Sequence, residues 1–237
     1  MHHCKWTINF FAVFLGCLLS LNAYAAGGGS EKPWVRLEHQ TFNVSDLESV
    51  KRGAEIFMTQ CAACHRMHQL KFDSISRKAR EAVMGQDEIE WFDKAASTMA
   101  PDLSLITRSK SPEWVYTYLK SYYKKPDGTY GNLLISNSMP FVGVLQGKSY
   151  DYVLSKDFKR QYKGNTVGTA LVPIDSDTEM DPYEYNLYLK DLVTYLAYAG
   201  EPTQVQRLAM APYVLIYVAI LVVICYIMYR EYWRKIK

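Results

Sequence analysis

Residues 52–65 read RGAEIFMTQCAACH, and the last five of them, Cys61-Ala62-Ala63-Cys64-His65, decide what the chain is built around. Two cysteines stand three apart and a histidine follows the second directly. His68 comes three residues later. The stretch before them is helical in pattern: Leu47, Val50, Ala54 and Phe57 recur at helical spacing, and Ser45 with Glu48 three residues on predicts a capped start at Ser45. Gly53 breaks this apolar face at a cost of about 1 kcal/mol against alanine, so a close helix contact is expected there. The predicted helix runs straight into Cys61.

Three chemistries use paired cysteines at this spacing. A redox dithiol belongs in a βαβ setting, whereas this pair follows an amphipathic helix. A zinc site made of Cys61, Cys64, His65 and His68 lacks the separation of about a dozen residues between ligand pairs. The C-x-x-C-H form is the attachment signature of a c-type haem. Two thiols three apart on a helical turn share a face and can add to the two vinyl groups of one porphyrin. The adjacent imidazole can then reach the iron as proximal ligand. His68 is too close in the chain to serve the opposite side.

The ends of the chain agree with that chemistry. Lys5 precedes an apolar run from Trp6 to Leu21, and Ala23-Tyr24-Ala25 fits the small-x-small cleavage rule, so residues 1–25 read as a secretory signal. An uncleaved N-terminal anchor and lipoprotein-type processing at Cys17 are the alternatives. Residues 208–229 are uncharged throughout, and 22 residues at 1.5 Å each span roughly 30 Å, the thickness of a bilayer core. Tyr213, Tyr226, Tyr229 and Trp233 stand near the ends of the span, where amphipathic rings favour the interface. The tail 230–237 carries Arg230, Arg234, Lys235 and Lys237 against Glu231, which keeps it in the cytoplasm by the positive-inside rule. Residues 26–207 then form the exported domain.

That domain holds 22 Lys and Arg against 23 Asp and Glu, so the formal charge of +3 for the whole chain comes from its ends. With no basic excess to neutralise phosphates, a nucleic-acid partner has no support. Of the five cysteines only Cys61 and Cys64 fall in it; Cys4 and Cys17 lie in the signal and Cys225 in the anchor.

Further helices are predicted at about 86–97, from Ser111-Pro112-Glu113 through Leu119, and from the capping box Asp181-Pro182-Tyr183-Glu184 to Gly200. Residues 124–180, rich in Gly, Asn, Ser and Asp, read as long loops with a short hairpin. The fold class expected is mostly α, with long loops packed on a large cofactor.

A sixth iron ligand is sought among the exported methionines. Met67 is too near, Met84 lies in a charged stretch, and Met180 sits in an acidic run. Met139, in ISNSMPFVGVLQG, has an apolar setting and a proline behind it, and Met99 stands second; His39 in the N-terminal arm stays open.

Taken in order, RGAEIFMTQCAACH, MAPDLSLI, NSMPFVGVLQG and DLVTYLAYAGEP, followed at once by the anchor, resemble the cytochrome c1 family in its proteobacterial form. The likeness covers the chain from about residue 32 to its end. It implies a cytochrome c-like haem domain with one covalent haem c, held by Cys61 and Cys64, with His65 and Met139 as axial ligands. It places Pro101 near the haem and either Arg108 or Lys110 at a haem propionate. Phe141 departs from the histidine expected after the Met-Pro pair. The resemblance also implies partners: cytochrome b and a Rieske iron–sulfur subunit in a dimeric complex of a bacterial inner membrane, and a c-type cytochrome as acceptor. The rival reading is a stand-alone anchored cytochrome. Asp175, Asp177, Glu179, Asp181 and Glu184 form an acidic run that would steer a basic partner.

Overall fold

The computed structural model describes residues 36–85, 91–92, 100–135, 152–154, 171–174 and 179–234. Among them are six α-helices: α1 (Leu47–Gln60), α2 (Ser74–Met84), α3 (Ile106–Ser109), α4 (Pro112–Lys120), α5 (Pro182–Gly200) and α6 (Gln204–Arg234). Two small antiparallel ladders accompany them. The first joins β1 (Tyr122–Lys124) to β2 (Tyr130–Asn132), and the second joins β3 (Tyr152–Leu154) to β4 (Leu171–Pro173). The mostly helical fold class expected from sequence is observed.

Packing of α1 against α5 makes the core. Val50, Ala54, Phe57 and Met58 from α1 and Leu189, Leu192, Val193, Tyr195 and Leu196 from α5 are all buried, each large one contributing about 1.5–3 kcal/mol by leaving water. The two helices touch at Gly53. A Cβ there would collide with the backbone carbonyl of Asp191 and lie 2.7 Å from Tyr195 Cβ. The close approach brings polar groups together beside it. Ser49 Oγ donates to Asp191 Oδ1 at 2.5 Å, and Arg52 Nε donates to Asp191 Oδ2 at 2.6 Å.

The capping chemistry predicted for α4 and α5 is present. Ser111 accepts from Trp114 N with Pro112 at the first turn, and Asp181 and Glu184 form a reciprocal capping box. The start of α1 differs by one residue. Asp46, not Ser45, is the N-cap and accepts from Ser49 N at 3.2 Å; Ser45 N instead donates to the side chain of Asn43. A carboxylate at the helix start gains from the dipole as well as from the hydrogen bond, which favours Asp46. Of the helix expected at about 86–97, only Trp91 and Phe92 are described; both are helical and buried.

The hairpin expected after residue 124 begins two residues earlier, and its turn is Lys125-Pro126-Asp127-Gly128-Thr129. Gly128 takes φ 82°, which suits glycine, and Asp127 Oδ1 accepts from both Thr129 N and Oγ1. Helix α6 spans 31 residues and is exposed on every side from Leu208 onward except at the half-buried Ala211. It is long and apolar enough to cross a membrane.

Candidate haem-attachment site

Helix α1 delivers Cys61 as its C-cap residue. Cys61 N and Ala62 N both donate to Phe57 O, at 2.8 and 3.0 Å, and end the helix. The chain then curls once more, with Cys64 N and His65 N donating to Cys61 O at 3.1 and 2.9 Å. This turn puts both sulfurs and the imidazole on one short loop. Cys61 is half-buried against the core, Cys64 is exposed, and neither is bridged. Burial pushes the Cys61 thiol up to about 12, and the Cys64 sulfur beside it adds to the shift.

A second loop closes over the first. His65 Nδ1 lies 2.8 Å from the carbonyl oxygen of Pro101. A carbonyl can only accept, so Nδ1 carries the proton and donates, and Nε2 keeps its lone pair. That tautomer is the one a metal-ligating histidine needs, and fixing it through the other ring nitrogen also fixes the ring's orientation. The two loops are tied at three further points. Leu103 N donates to Arg66 O at 3.0 Å, His68 N to Asp102 Oδ2 at 2.8 Å, and Gln69 N to Ser104 Oγ at 3.1 Å. Asp102 Oδ1 meanwhile accepts from Ser104 N at 2.8 Å.

Cys61, Cys64, His65 and Pro101 are therefore brought together, with the proline acting through its backbone oxygen. Two unbridged thiols on one turn and an imidazole with Nε2 available fit a c-type haem. The profile of the cytochrome c1 family matches residues 37–97 and 87–236. The chain belongs to the cytochrome c1 family.

The chain is similar to cytochrome c1 of Allochromatium vinosum, 31% identical over 251 residues that cover 95% of this chain and 97% of that protein. It is also similar to the ammonia monooxygenase gamma subunit of Nitrosomonas europaea, 30% identical over 224 residues that cover 85% and 89%. Membership of the cytochrome c1 family implies a c-type haem, and α6 supplies a single-pass membrane anchor for it.

The other sequence candidates are placed as follows. Arg108 lies in the last turn of α3 and pairs with Glu201, Nη1 to Oε2 at 3.1 Å, and Glu201 also pairs with Arg207 in the first turn of α6. Lys110 holds its ammonium 5.3 Å from the centroid of the Trp114 ring. Met139, Met99 and Phe141 lie outside the described residues. His39 is exposed, and the exposed His68 places Nδ1 3.3 Å from Phe92 O. In the acidic run, Asp181 and Glu184 are engaged in capping α5 but remain exposed.

Two residues at the site were not anticipated. Arg66 Nη1 donates to Ala62 O at 2.8 Å and to His65 O at 3.3 Å, and Trp91 Nε1 donates to the same Ala62 O at 3.3 Å. Trp91 brings a buried indole from elsewhere in the chain, so spacing around the motif gives no sign of it. Arg66 is adjacent to His65, yet a single arginine beside a motif is too common to signal a role.

Proposed function

We propose that this chain is the electron-transfer subunit of a ubiquinol:cytochrome c reductase. It takes an electron from a Rieske iron–sulfur subunit and passes it to a c-type cytochrome. The observation that carries this reading is the His65–Pro101 hydrogen bond beside two unbridged cysteines, in a member of the cytochrome c1 family.

In this reading Cys61 and Cys64 would hold one haem by thioethers, and His65 Nε2 and Met139 Sδ would ligate its iron. The haem supplies a one-electron couple, and Met/His ligation favours a high potential and blocks exogenous ligands. The protein's own part is positional. Pro101 O keeps the His65 proton on Nδ1, Asp102 and Ser104 hold the Pro101 loop against the Cys61–His65 loop, and Ala62, Met67, Leu70 and Phe92 keep water from its inner side. Arg108 or Lys110 answers a haem propionate.

Residues 1–25 are removed on export, 26–207 form the haem domain on the periplasmic side of the bacterial inner membrane, 208–229 cross it, and 230–237 face the cytoplasm. Cytochrome b and the Rieske protein are the partners, in a dimeric complex. The acidic run at 175–184 steers a basic cytochrome acceptor.

Gentle solubilisation separates this reading from its rivals. Co-purification of this chain's haem with b-type haem is expected. A chain that ran alone would be a stand-alone shuttle. One that travelled with a monooxygenase activity instead would belong to the kind of complex its second relative is named for.

A further inference from the structure

Arg66 and Arg108 are both cations near the proposed haem loop, and their surroundings differ. Arg108 is exposed and shares the carboxylate of Glu201 with Arg207, so its field is weakened by water and by that partner. Arg66 is half-buried, and its described partners are neutral: two carbonyl oxygens of the Cys61–His65 loop and the face of Trp91, whose centroid lies 5.1 Å from the guanidinium carbon. Its Nε is buried with no acceptor among the described residues. A guanidinium is protonated at every accessible pH, and a cation–π platform lets it stay charged away from water without a counter-ion. Stacking and the two backbone bonds therefore hold an uncancelled positive charge against the carbonyl of His65 itself.

We infer that Arg66, held on Trp91, is a redox-tuning positioning residue that raises the reduction potential of the group bound at Cys61, Cys64 and His65. The reduced state carries one positive charge fewer than the oxidised state, so a nearby cation in a poorly screened setting favours reduction. Trp91 takes part twice, as a platform that Arg66 shares with Arg80, whose guanidinium carbon lies 4.7 Å from the same ring centroid, and as second donor to Ala62 O. The inference rests on the reading that His65 is an axial ligand.

The test is an equilibrium redox titration of the haem-loaded, membrane-anchored chain, with thermal melting run alongside. Three variants separate charge from structure. Arg66→Gln removes the charge and keeps a donor. Arg66→Lys keeps the charge. Trp91→Phe keeps a ring but loses the bond to Ala62 O. Arg66→Gln is expected to lower the reduced-to-oxidised ratio at fixed applied potential roughly tenfold, which is about 59 mV for a one-electron couple. Arg66→Lys and Trp91→Phe are expected to keep the wild-type potential within a small fraction of that shift, even where they melt earlier. An unchanged potential in Arg66→Gln would overturn the inference. So would an equal fall in Arg66→Lys or in Trp91→Phe, because loop geometry would then be the cause; if Arg66→Gln fails to load haem, Arg66→Met supplies the neutral variant and the same fall is expected of it. Absence of a c-type haem spectrum from the wild-type chain would instead remove the underlying reading of the site.

Discussion

His65 and Pro101, 36 residues apart in the chain, are joined by a 2.8 Å hydrogen bond from the imidazole Nδ1 to the proline's carbonyl oxygen. The bond makes the backbone at residue 101 part of the site, whatever side chain stands there. What holds that backbone is Asp102, which accepts from His68 N and from Ser104 N.

Asp102→Ala is therefore expected to destabilise the folded domain by about 1–2 kcal/mol, the cost of leaving two amide donors unanswered. It should also loosen the Pro101–His65 alignment, whereas Pro101→Ala keeps the carbonyl and should be mild. Denaturant titration of both variants, with the haem absorption spectrum followed in parallel, checks the difference. Equal stability of Asp102→Ala and wild type would remove Asp102 from this role.

Gly53 gives a steeper expectation. An added Cβ would meet the Asp191 carbonyl and Tyr195 Cβ at the α1–α5 crossing, where neither neighbour is the flexible end of a side chain. Gly53→Ala should cost about 2–3 kcal/mol through overpacking, although alanine is the better helix former on propensity alone. A variant that melted at or above the wild-type temperature would show that the helices can part without loss.

Alkaline pH should unfold the domain through its tyrosines. Tyr195 Oη donates to Ser76 Oγ and Tyr198 Oη to Asp73 Oδ1, which stitches α2 to α5. Burial raises both phenols above their ordinary value, the Asp73 carboxylate raises Tyr198 further, and burial pushes Tyr188 up to about 12. Each folded-state pKa is raised, so the stabilisation is complete below the unfolded value of about 10 and is lost as pH climbs toward 12 and beyond. Melting temperature should hold steady to about pH 9.5 and then fall, in step with phenolate absorbance. Tyr195→Phe should weaken that fall.

Met139→Leu tests the proposed sixth ligand. Loss of the weak long-wavelength iron–sulfur charge-transfer band is expected, and its persistence would move the ligand to Met99 or to another residue.

Docking has its own signature. Electron transfer to a basic cytochrome should slow with added salt and with charge reversal at the exposed Glu179, because salt screens exposed charges from one another beyond about 10 Å at 0.1 M ionic strength. A rate indifferent to both would take the acidic run out of recognition.

Elements with local punctuation were legible in the sequence. Ser111-Pro112 and the Asp181–Glu184 box mark helix starts because the cap is made by neighbours in the chain, and Gly53 marked the helix contact because glycine is costly there otherwise. Helix α2 was missed. Its segment SISRKAREAVM buries Ser76, Ala79 and Arg80, a mainly polar face that no search for an apolar stripe picks out. The Cys61–His65 motif stands out in the sequence because its residues are adjacent, and the structure places both sulfurs and the imidazole on one short loop. The Pro101 carbonyl, the Asp102 clamp and the Trp91 platform were not, since each depends on segments that meet only after folding, and all three act on or through backbone atoms.

The most direct test of the central claim is to denature the purified chain fully and ask whether haem stays with it. Covalent haem is expected to remain on the denatured chain, to give a c-type pyridine haemochrome spectrum, and to leave no free thiol at Cys61 or Cys64. A denatured chain that released its haem, or whose two thiols both titrated as free, would contradict the account.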